Sequence, residues 1–158
     1  MSEMIHIITA ESDDLERVTD LLLECDLPAD DVEEILGKGY VIAEHGVELV
    51  GVCGIEIFNP YGLLRSLAVS PSWRGRSVGR MLVNDRLAWA KTESMRSLYL
   101  LTIDTSRYFE QFGFERIDRD DVPDEIKGSR EFSSLCLETA VVMGKSLNEH
   151  GRLESQEP

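Results

Sequence analysis

Apolar residues recur along the chain with two different spacings, and the changes between them mark out the predicted elements. Alternation and short continuous apolar runs predict strands, whereas spacings of three and four residues predict helices. The predicted strands cover residues 4–9, 40–44, 49–58, 63–69, 97–102, 114–117 and 139–143. The predicted helices cover 11–25, 28–36, 78–92, 105–111, 123–127 and 130–135. Strands that alternate with helices predict an α/β protein with a mixed central sheet of about six to seven strands flanked by helices.

The extent of this pattern predicts the domain organisation. The 158 residues suit one domain with a full core. Residues 1–147 carry the pattern, whereas residues 148–158 lack it and are expected to form a disordered tail. The apolar runs are far shorter than the roughly 20 residues that a membrane span requires. The N-terminus lacks the basic start and apolar middle of a signal peptide. We therefore expect a cytoplasmic protein with no membrane partner.

Acidic residues dominate the composition and are spread along the chain. Thirty acidic residues stand against 16 basic ones, and the net charge of −14 repels the phosphate backbone of nucleic acids, so no nucleic-acid partner is expected. Lysine is scarce, with 4 residues against 12 arginines, which resembles the composition of proteins from salt-loving organisms. The acidic surface fits either adaptation to salt or the steering of cationic substrates, and both interpretations stay open.

The cysteines and histidines predict no metal site. Cys25, Cys53 and Cys136 are odd in number and widely separated, so they form neither a disulfide framework nor a pair with metal-ligand spacing. The three histidines are also scattered along the chain. We expect the cysteines to act as small buried apolar residues and the protein to hold no metal.

The segment 63–82 carries the clearest chemical signal. A nearly continuous apolar strand ends before Pro71 and is followed by arginines and glycines that open a helix. These residues are Arg74, Gly75, Arg76, Gly79 and Arg80. Glycines let the backbone approach a ligand closely, and the N–H groups and dipole at a helix start favour an anion. The segment therefore predicts a site for the diphosphate of a compact cofactor.

Two other phosphate-binding motifs do not fit this segment. A P-loop requires lysine and then serine or threonine after its last glycine, and here Gly79 is followed by Arg80 and Met81. A dinucleotide-binding motif requires the pattern GxGxxG after an early strand, with an acidic partner for the ribose. This chain lacks that pattern. Two simpler interpretations stay open. The glycines could form an ordinary turn, and the arginines could be ordinary surface residues.

The segment Arg74-Gly75-Arg76-Ser77-Val78-Gly79 resembles the core motif of the GCN5-related N-acetyltransferase (GNAT) superfamily, with Ser77 where that family usually has glycine. The preceding Leu67-Ala68-Val69-Ser70-Pro71 and the later Tyr108-Phe109-Glu110-Gln111-Phe112-Gly113-Phe114 are similar to two further landmarks of the family, in the same order. The resemblance covers residues 4–147. It implies the GNAT acyl-CoA N-acyltransferase fold and acetyl-CoA as cosubstrate, with no metal.

Longer segments resemble one branch of this superfamily more closely. LLRSLAVSP, LYLLTIDTSRYFEQFGF and VPDEIKGSREFSSLC are similar to arsenic-resistance-associated N-acetyltransferases. The acetyltransferase domain of N-acetylglutamate synthases shares part of this arrangement. The resemblance implies direct acetyl transfer to the primary amine of a small molecule, such as an amino acid. A catalytically weak CoA-binding sensor and a protein or peptide N-acetyltransferase are the alternatives, and homodimerisation stays open.

The resemblance also implies roles for individual residues. CoA would be bound by Leu67, Ala68, Val69, Arg74, Gly75, Arg76, Ser77, Val78, Gly79 and Arg80. Glu56 is the candidate general base, unless it is a solvent-facing strand residue. Tyr108 is the candidate acid for the leaving thiolate. The family's tyrosine corresponds to Phe109, however, and one helical residue means a rotation of about 100°.

Arg65 is a charged residue within an apolar strand, and it therefore needs an acidic partner. This partner is either a substrate carboxylate or an internal Asp or Glu. Arg130 lies in the irregular segment that the closer relatives use over the acceptor, together with Lys127 and Ser129. Arg65 and Arg130 are therefore the candidates for substrate binding, with a surface role as the alternative for Arg130.

Overall fold

A computed structural model describes residues 4–37, 39–129, 132 and 140–147. Within these residues the strands are β1 (His6–Thr9), β2 (Tyr40–His45), β3 (Glu48–Phe58), β4 (Tyr61–Val69), β5 (Ser97–Thr102), β6 (Glu115–Arg116) and β7 (Val141–Ser146). The helices are α1 (Leu15–Glu24), α2 (Val32–Ile35), α3 (Val78–Thr92), α4 (Ser106–Glu110) and α5 (Asp124–Lys127). Short 3-10 turns cover Ser12–Asp14, Pro71–Trp73 and Arg119–Asp121.

The seven strands form one mixed sheet in the order β1-β2-β3-β4-β5-β7-β6. Strands β1, β2 and β3 pair antiparallel, and β7 pairs antiparallel with both β5 and β6. Strands β4 and β5 are parallel, and the connection between them contains α3. The predicted α/β class and the sheet of six to seven strands are therefore confirmed.

The chain divides into two compact units. The first contains Met1–Glu56 and Arg65–Trp89. Its core is formed by apolar side chains of α1, α2, β2, β3 and β4, which include Val18, Leu22, Val32, Ile42, Val52 and Ala68. Val18 and Leu22 are four residues apart, so they lie on one face of α1 and are both fully buried.

The second unit contains Ile57–Leu64 and Ala90–Pro158. Its core brings together Leu63, Tyr99, Leu101, Val122, Ile126, Phe132 and Val142. All six residues of β5 are buried, which fits a strand with neighbours on both edges.

The predicted boundaries of α3 and β5 agree with the structure, and the largest differences lie near the chain ends. The helix predicted over 11–25 is divided, because the N–H of Asp14 donates to the carbonyl of Glu11 at 2.8 Å and closes a 3-10 turn before α1. A carboxylate oxygen of Asp14 accepts the N–H of Glu11 at 2.9 Å and caps this turn. The last strand covers Val141–Ser146, since its polar end continues the ladder with Ser97 and Leu98. The helix predicted over 130–135 and the tail 148–158 lie outside the described residues, apart from Phe132.

Candidate active site

The loop between β4 and α3 contains two residues with a left-handed backbone. Gly75 and Ser77 both have φ in the left-handed region, at 78° and 71°. Glycine adopts this conformation without steric cost, whereas serine does so at a cost of about 1–2 kcal/mol. Ser77 stands where the resemblance expects glycine, and the structure keeps the glycine-type backbone there. The loop residues 74–77 are exposed.

Helix α3 begins directly after this loop. The N–H of Met81 donates to the carbonyl of Ser77 at 3.0 Å. The N–H groups of Val78 and Gly79 therefore belong to the first turn, where no intrahelical acceptor is available. The positive end of the α3 dipole lies at the same place. The loop and the first turn of α3 thus present backbone N–H groups without intrahelical acceptors, an arrangement that favours an anion.

The loop arginines are held by local contacts. Nε of Arg74 donates to the carbonyl of Val69 at 3.2 Å, and its Nη2 lies 3.3 Å from Sγ of Cys25. The guanidinium of Arg76 lies 4.7 Å from the ring centroid of Trp73. Such a cation–π contact restrains a flexible side chain without neutralising its charge. Arg80 is exposed in the first turn of α3, so the loop is positively charged.

Strand β4 contributes backbone next to this loop. Its parallel ladder with β5 covers Tyr61, Gly62 and Leu63, whereas Leu67–Val69 lie beyond that ladder. Ser66, which precedes them, has a φ of 62°. A left-handed residue inside a strand is typical of a bulge, which redirects the groups that follow.

Arg65 is buried against two carboxylates. Its Nη1 and Nη2 donate to the two carboxylate oxygens of Asp31 at 2.8 and 2.7 Å, and Nη1 also donates to Oε1 of Glu56 at 2.8 Å. The side chains of Arg65 and Asp31 are 0% and 5% exposed, and that of Glu56 is 18% exposed. Of the two kinds of partner expected for Arg65, the structure therefore provides the internal carboxylates.

Glu56, the candidate base, is fixed at one oxygen. Its Oε1 accepts from Arg65, and its Oε2 makes no hydrogen bond to any residue that the structure describes. The side chain is partly exposed near the end of β3. An oriented carboxylate with one oxygen available can accept a hydrogen bond from an ammonium group or a water.

Tyr108 lies on α4 in the second unit. Its ring makes edge contacts with Phe109 and Phe112, at centroid distances of 5.3 and 5.4 Å. Tyr108 is half-buried, whereas Phe109 is buried. The two neighbours therefore have different surroundings, as the rotation of about 100° per helical residue requires. The acid role of Tyr108 stays a prediction.

The other substrate candidates lie in the segment that follows β6. Nζ of Lys127 donates to the carbonyl of Asp120 at 3.3 Å. The buried Ser129 accepts the N–H of Phe132 at its Oγ at 3.1 Å. Both side chains thus support the local backbone. Arg130 lies outside the described residues.

Cys53 is an unsuitable nucleophile. Burial raises the pKa of its thiol to about 12, the positive charge of Arg86 opposes this shift, and the negative charge of Asp85 adds to it. A thiol with such a pKa stays protonated at neutral pH and attacks thioesters poorly.

Across the described residues, no group of three or more His, Cys, Asp or Glu side chains could hold a metal, and no helix combines the length and apolarity of a membrane span.

Several contacts in the first unit were not predicted from the sequence. They are the pairing of Arg65 with Asp31, the hydrogen bond between Tyr40 and Ser66, and the tilted ring contact of His45 with Trp73, at a centroid distance of 4.8 Å. The charge of Arg65 within a strand did signal that an acid must lie nearby. With 30 acidic residues in the chain, that signal could not identify which one.

Solved structures with this fold include proteins bound to CoA. The chain is 21% identical to N-acetylglutamate synthase from Neisseria gonorrhoeae complexed with coenzyme A and N-acetyl-glutamate, with a TM-score of 0.79, over 94% of this chain and 36% of that one. Rv2747 from Mycobacterium tuberculosis, in complex with CoA, is 21% identical, with a TM-score of 0.74, over 88% and 97% of the two chains. At these identities the likeness is one of fold.

Another similar structure is the ribosomal-protein-S18-alanine N-acetyltransferase from Escherichia coli. It is 15% identical, with a TM-score of 0.72, over 94% of this chain and 97% of that one. Among curated proteins, the uncharacterized N-acetyltransferase CT2212 from Chlorobaculum tepidum is 27% identical over 90 residues. That match covers 56% of this chain, and the chain spans 57% of the relative's length.

The model of the acetyltransferase (GNAT) family matches residues 6–114. This range contains both Glu56 and Tyr108, together with the loop between β4 and α3. The chain belongs to the acetyltransferase (GNAT) family.

Proposed function

We propose that the protein is an N-acetyltransferase that moves the acetyl group of acetyl-CoA directly to the primary amine of a small molecule, an amino acid or a similar compound. The observation that carries this proposal is the loop between β4 and α3. It combines two left-handed residues, Gly75 and Ser77, with exposed arginines and the start of a 15-residue helix. Family membership supports the same activity.

The loop fits the diphosphate of CoA. The N–H groups at the start of α3 donate to its oxygens, and Arg74, Arg76 and Arg80 neutralise its charge. The backbone of Leu67–Val69 lies beyond the ladder with β5 and pairs with the amide groups of the pantetheine arm. Anchoring both parts of the cosubstrate fixes the position of the thioester.

Glu56 serves as the general base for the acceptor. An ammonium group first gives a proton to its carboxylate, directly or through one water. The neutral amine nitrogen then bonds to the thioester carbon, and an N–H of Leu67–Val69 stabilises the oxyanion. The carbon–sulfur bond breaks, and the amide nitrogen releases its second proton to solvent. The CoA thiolate takes up a proton from Tyr108 or from solvent, so one amide and one free thiol form.

An amino-acid-like acceptor is supported by the fold neighbours. The Neisseria gonorrhoeae enzyme is complexed with N-acetyl-glutamate together with coenzyme A. Acetylation of a peptide N-terminus is the alternative, because the Escherichia coli neighbour acts on a ribosomal protein. A sensor that binds CoA without turnover is a further alternative, favoured by Phe109 in the place of the family's tyrosine.

A thiol-release assay tests this proposal and its alternatives. Purified protein is incubated with acetyl-CoA and a panel of amino acids, simple amines, arsenic-bearing amino compounds and short peptides. Acetyl-CoA binding is measured separately by calorimetry. Turnover on small amines is the expected result, whereas turnover confined to peptides would indicate a peptide acetyltransferase. Binding without turnover on any acceptor would support the sensor, and absence of binding would contradict the assignment of the loop.

A further inference from the structure

We propose that Arg65 is a positioning residue that holds Glu56 for the acceptor ammonium group, and that Arg65 does not itself bind a substrate carboxylate. This inference rests on the proposed function and names how the acceptor is recognised. The cluster that carries it comprises Arg65, Asp31, Glu56 and Ser66. All four residues belong to the first compact unit.

The hydrogen-bonding capacity of Arg65 is already used within the protein. A guanidinium has five N–H donors, and four of them donate to Asp31, Glu56 and Ser66. The parallel pair that recognises a carboxylate is the Nη1 and Nη2 pair, which is occupied by Asp31. A substrate carboxylate would have to displace Asp31, whose side chain is only 5% exposed. Displacement would leave that buried charge without its partner.

The charge of the cluster favours a cation. Two carboxylates face one guanidinium, so the cluster of charged groups carries a net charge of −1 when all three are ionised. Its most exposed member is Glu56, at 18%, and Oε2 of Glu56 makes no hydrogen bond to the described residues. An ammonium group matches an oxygen of this kind. The first unit therefore contributes a carboxylate that receives the amine, with Arg65 behind it.

Arg65 also connects the segment before α2 to the sheet. Asp31 directly precedes α2, whereas Glu56 lies on β3 and Arg65 on β4. One planar guanidinium spans both carboxylates, which the point charge of a lysine ammonium cannot do with the same geometry. Arg65→Lys therefore keeps the charge of the cluster, but Glu56 is no longer held in one orientation.

Matched acceptors with and without a carboxylate test the inference. L-leucine is compared with 3-methylbutylamine, and L-phenylalanine with phenethylamine, at saturating acetyl-CoA. In Arg65→Lys, kcat should fall by about 10- to 100-fold for both members of a pair while KM changes little. The ratio of kcat/KM between amino acid and amine should stay the same. A selective loss of the amino acid, with the amine still acetylated normally, would overturn the inference.

Two variants supply the control and the coupling measurement. Arg17 also bridges two carboxylates, those of Asp14 and Glu44, but is 37% exposed and has no contact with Glu56, so Arg17→Lys should keep the wild-type kcat. The double variant Arg65→Lys with Glu56→Gln should be no slower than Glu56→Gln alone, because Arg65 acts through Glu56. If the fold-losses of kcat in the two single variants multiply in the double variant, this expectation is contradicted.

Nitrogen-15 NMR of the arginine side chains tests the assignment without turnover. The Arg65 Nη–H signals should exchange slowly with solvent in the wild-type protein, lose this protection in Asp31→Asn, and respond alike when L-phenylalanine or phenethylamine is added to the CoA complex. A shift or a change in protection with L-phenylalanine that phenethylamine does not produce would overturn the inference. If no panel acceptor is turned over, the proposed function fails, and the NMR result still decides the role of Arg65. Should Arg65→Lys fail to fold, Glu56→Asp must show the same equal loss of kcat within each pair, since it retracts the carboxylate from Arg65.

Discussion

The phenolic oxygen of Tyr40 lies 2.7 Å from Oγ of Ser66, and both groups are buried. Tyr40 begins β2 and Ser66 lies within β4, with β3 between these strands in the sheet. The Tyr40 ring crosses β3 at Gly54, where the Cβ of any other residue would overlap the ring. The hydrogen bond therefore connects Ser66, the left-handed residue of β4, to β2, which lies two strands away in the sheet. It supports the part of β4 that precedes the loop between β4 and α3.

Tyr40→Phe is expected to lower the free energy of unfolding by about 1 kcal/mol, because the buried Ser66 hydroxyl loses its hydrogen bond with Tyr40. Urea denaturation followed by circular dichroism measures this change. The control is Tyr61→Phe, since the Tyr61 hydroxyl makes no hydrogen bond to the described residues and its loss should change stability by less. Equal effects of the two substitutions would show that the hydrogen bond with Ser66 does not contribute.

Gly79→Asp is expected to weaken CoA binding by about 10-fold or more, because a carboxylate at the start of α3 repels the diphosphate and competes for the same N–H groups. Calorimetric titration with CoA gives the affinity. Gly79→Asn is the matched control, since it adds nearly the same bulk without charge and should bind CoA more tightly than the Asp variant. Unchanged affinity in Gly79→Asp would place the diphosphate elsewhere.

Ser77→Val is expected to destabilise the protein by about 1–3 kcal/mol, because a β-branched residue adopts the left-handed conformation poorly. It should also weaken CoA binding, since the backbone of this loop forms the proposed diphosphate site. Ser94 has a φ of 62° and is equally exposed, but it lies outside the loop. Ser94→Val should therefore lose similar stability and keep its CoA affinity. Normal CoA binding by Ser77→Val would contradict the role of the loop conformation.

The Cys53 thiol is expected to resist iodoacetamide in the folded protein and to react in urea. Burial raises its pKa to about 12, so the thiolate that alkylation requires is absent near neutral pH. Mass spectrometry of the labelled peptide measures this. Cys53→Ala should retain thiol release from acetyl-CoA, as direct transfer requires. Loss of turnover in a stably folded Cys53→Ala would support an acetylated cysteine instead.

The same shift predicts a dependence of stability on alkaline pH. An unfolded cysteine has a pKa of about 8.5, whereas that of folded Cys53 is about 12. The folded state therefore binds more protons between these values, and the free energy of unfolding should fall as the pH rises through this interval. In Cys53→Ala the fall should be shallower. Identical slopes in both proteins would contradict the shift.

Potassium chloride is expected to raise the free energy of unfolding at neutral pH. The net charge of −14 makes the folded state repel itself, and salt screens this repulsion. Denaturation in urea at increasing KCl measures the gain. Near the isoelectric point of about 4.5 the net charge is small, so the same salt should stabilise less there. If KCl does not raise the free energy of unfolding at neutral pH, that result would count against adaptation to salt.

The local pattern predicted the elements whose apolar spacing is clear in the sequence. Helix α3 begins at Val78 and ends at Thr92, and β5 covers Ser97–Thr102, both as predicted. The prediction of an anion site between β4 and α3 rests on glycines and arginines that are adjacent in sequence, and it stays a prediction. Helix α2 was less predictable, since it covers only Val32–Ile35 and the preceding Asp31 is paired with Arg65.

The sequence alone determined the α/β class, the position of the loop before α3 and the requirement that Arg65 meet an acid. These features depend on neighbouring residues, or on the cost of an unpaired charge in an apolar strand. Only the tertiary structure decided that Asp31 and Glu56 share Arg65, that Ser66 is left-handed and reaches Tyr40, and that Ser77 keeps a glycine-type backbone. The physical reason is that these contacts join residues up to 34 positions apart, and their pairing depends on how the strands and loops are brought together.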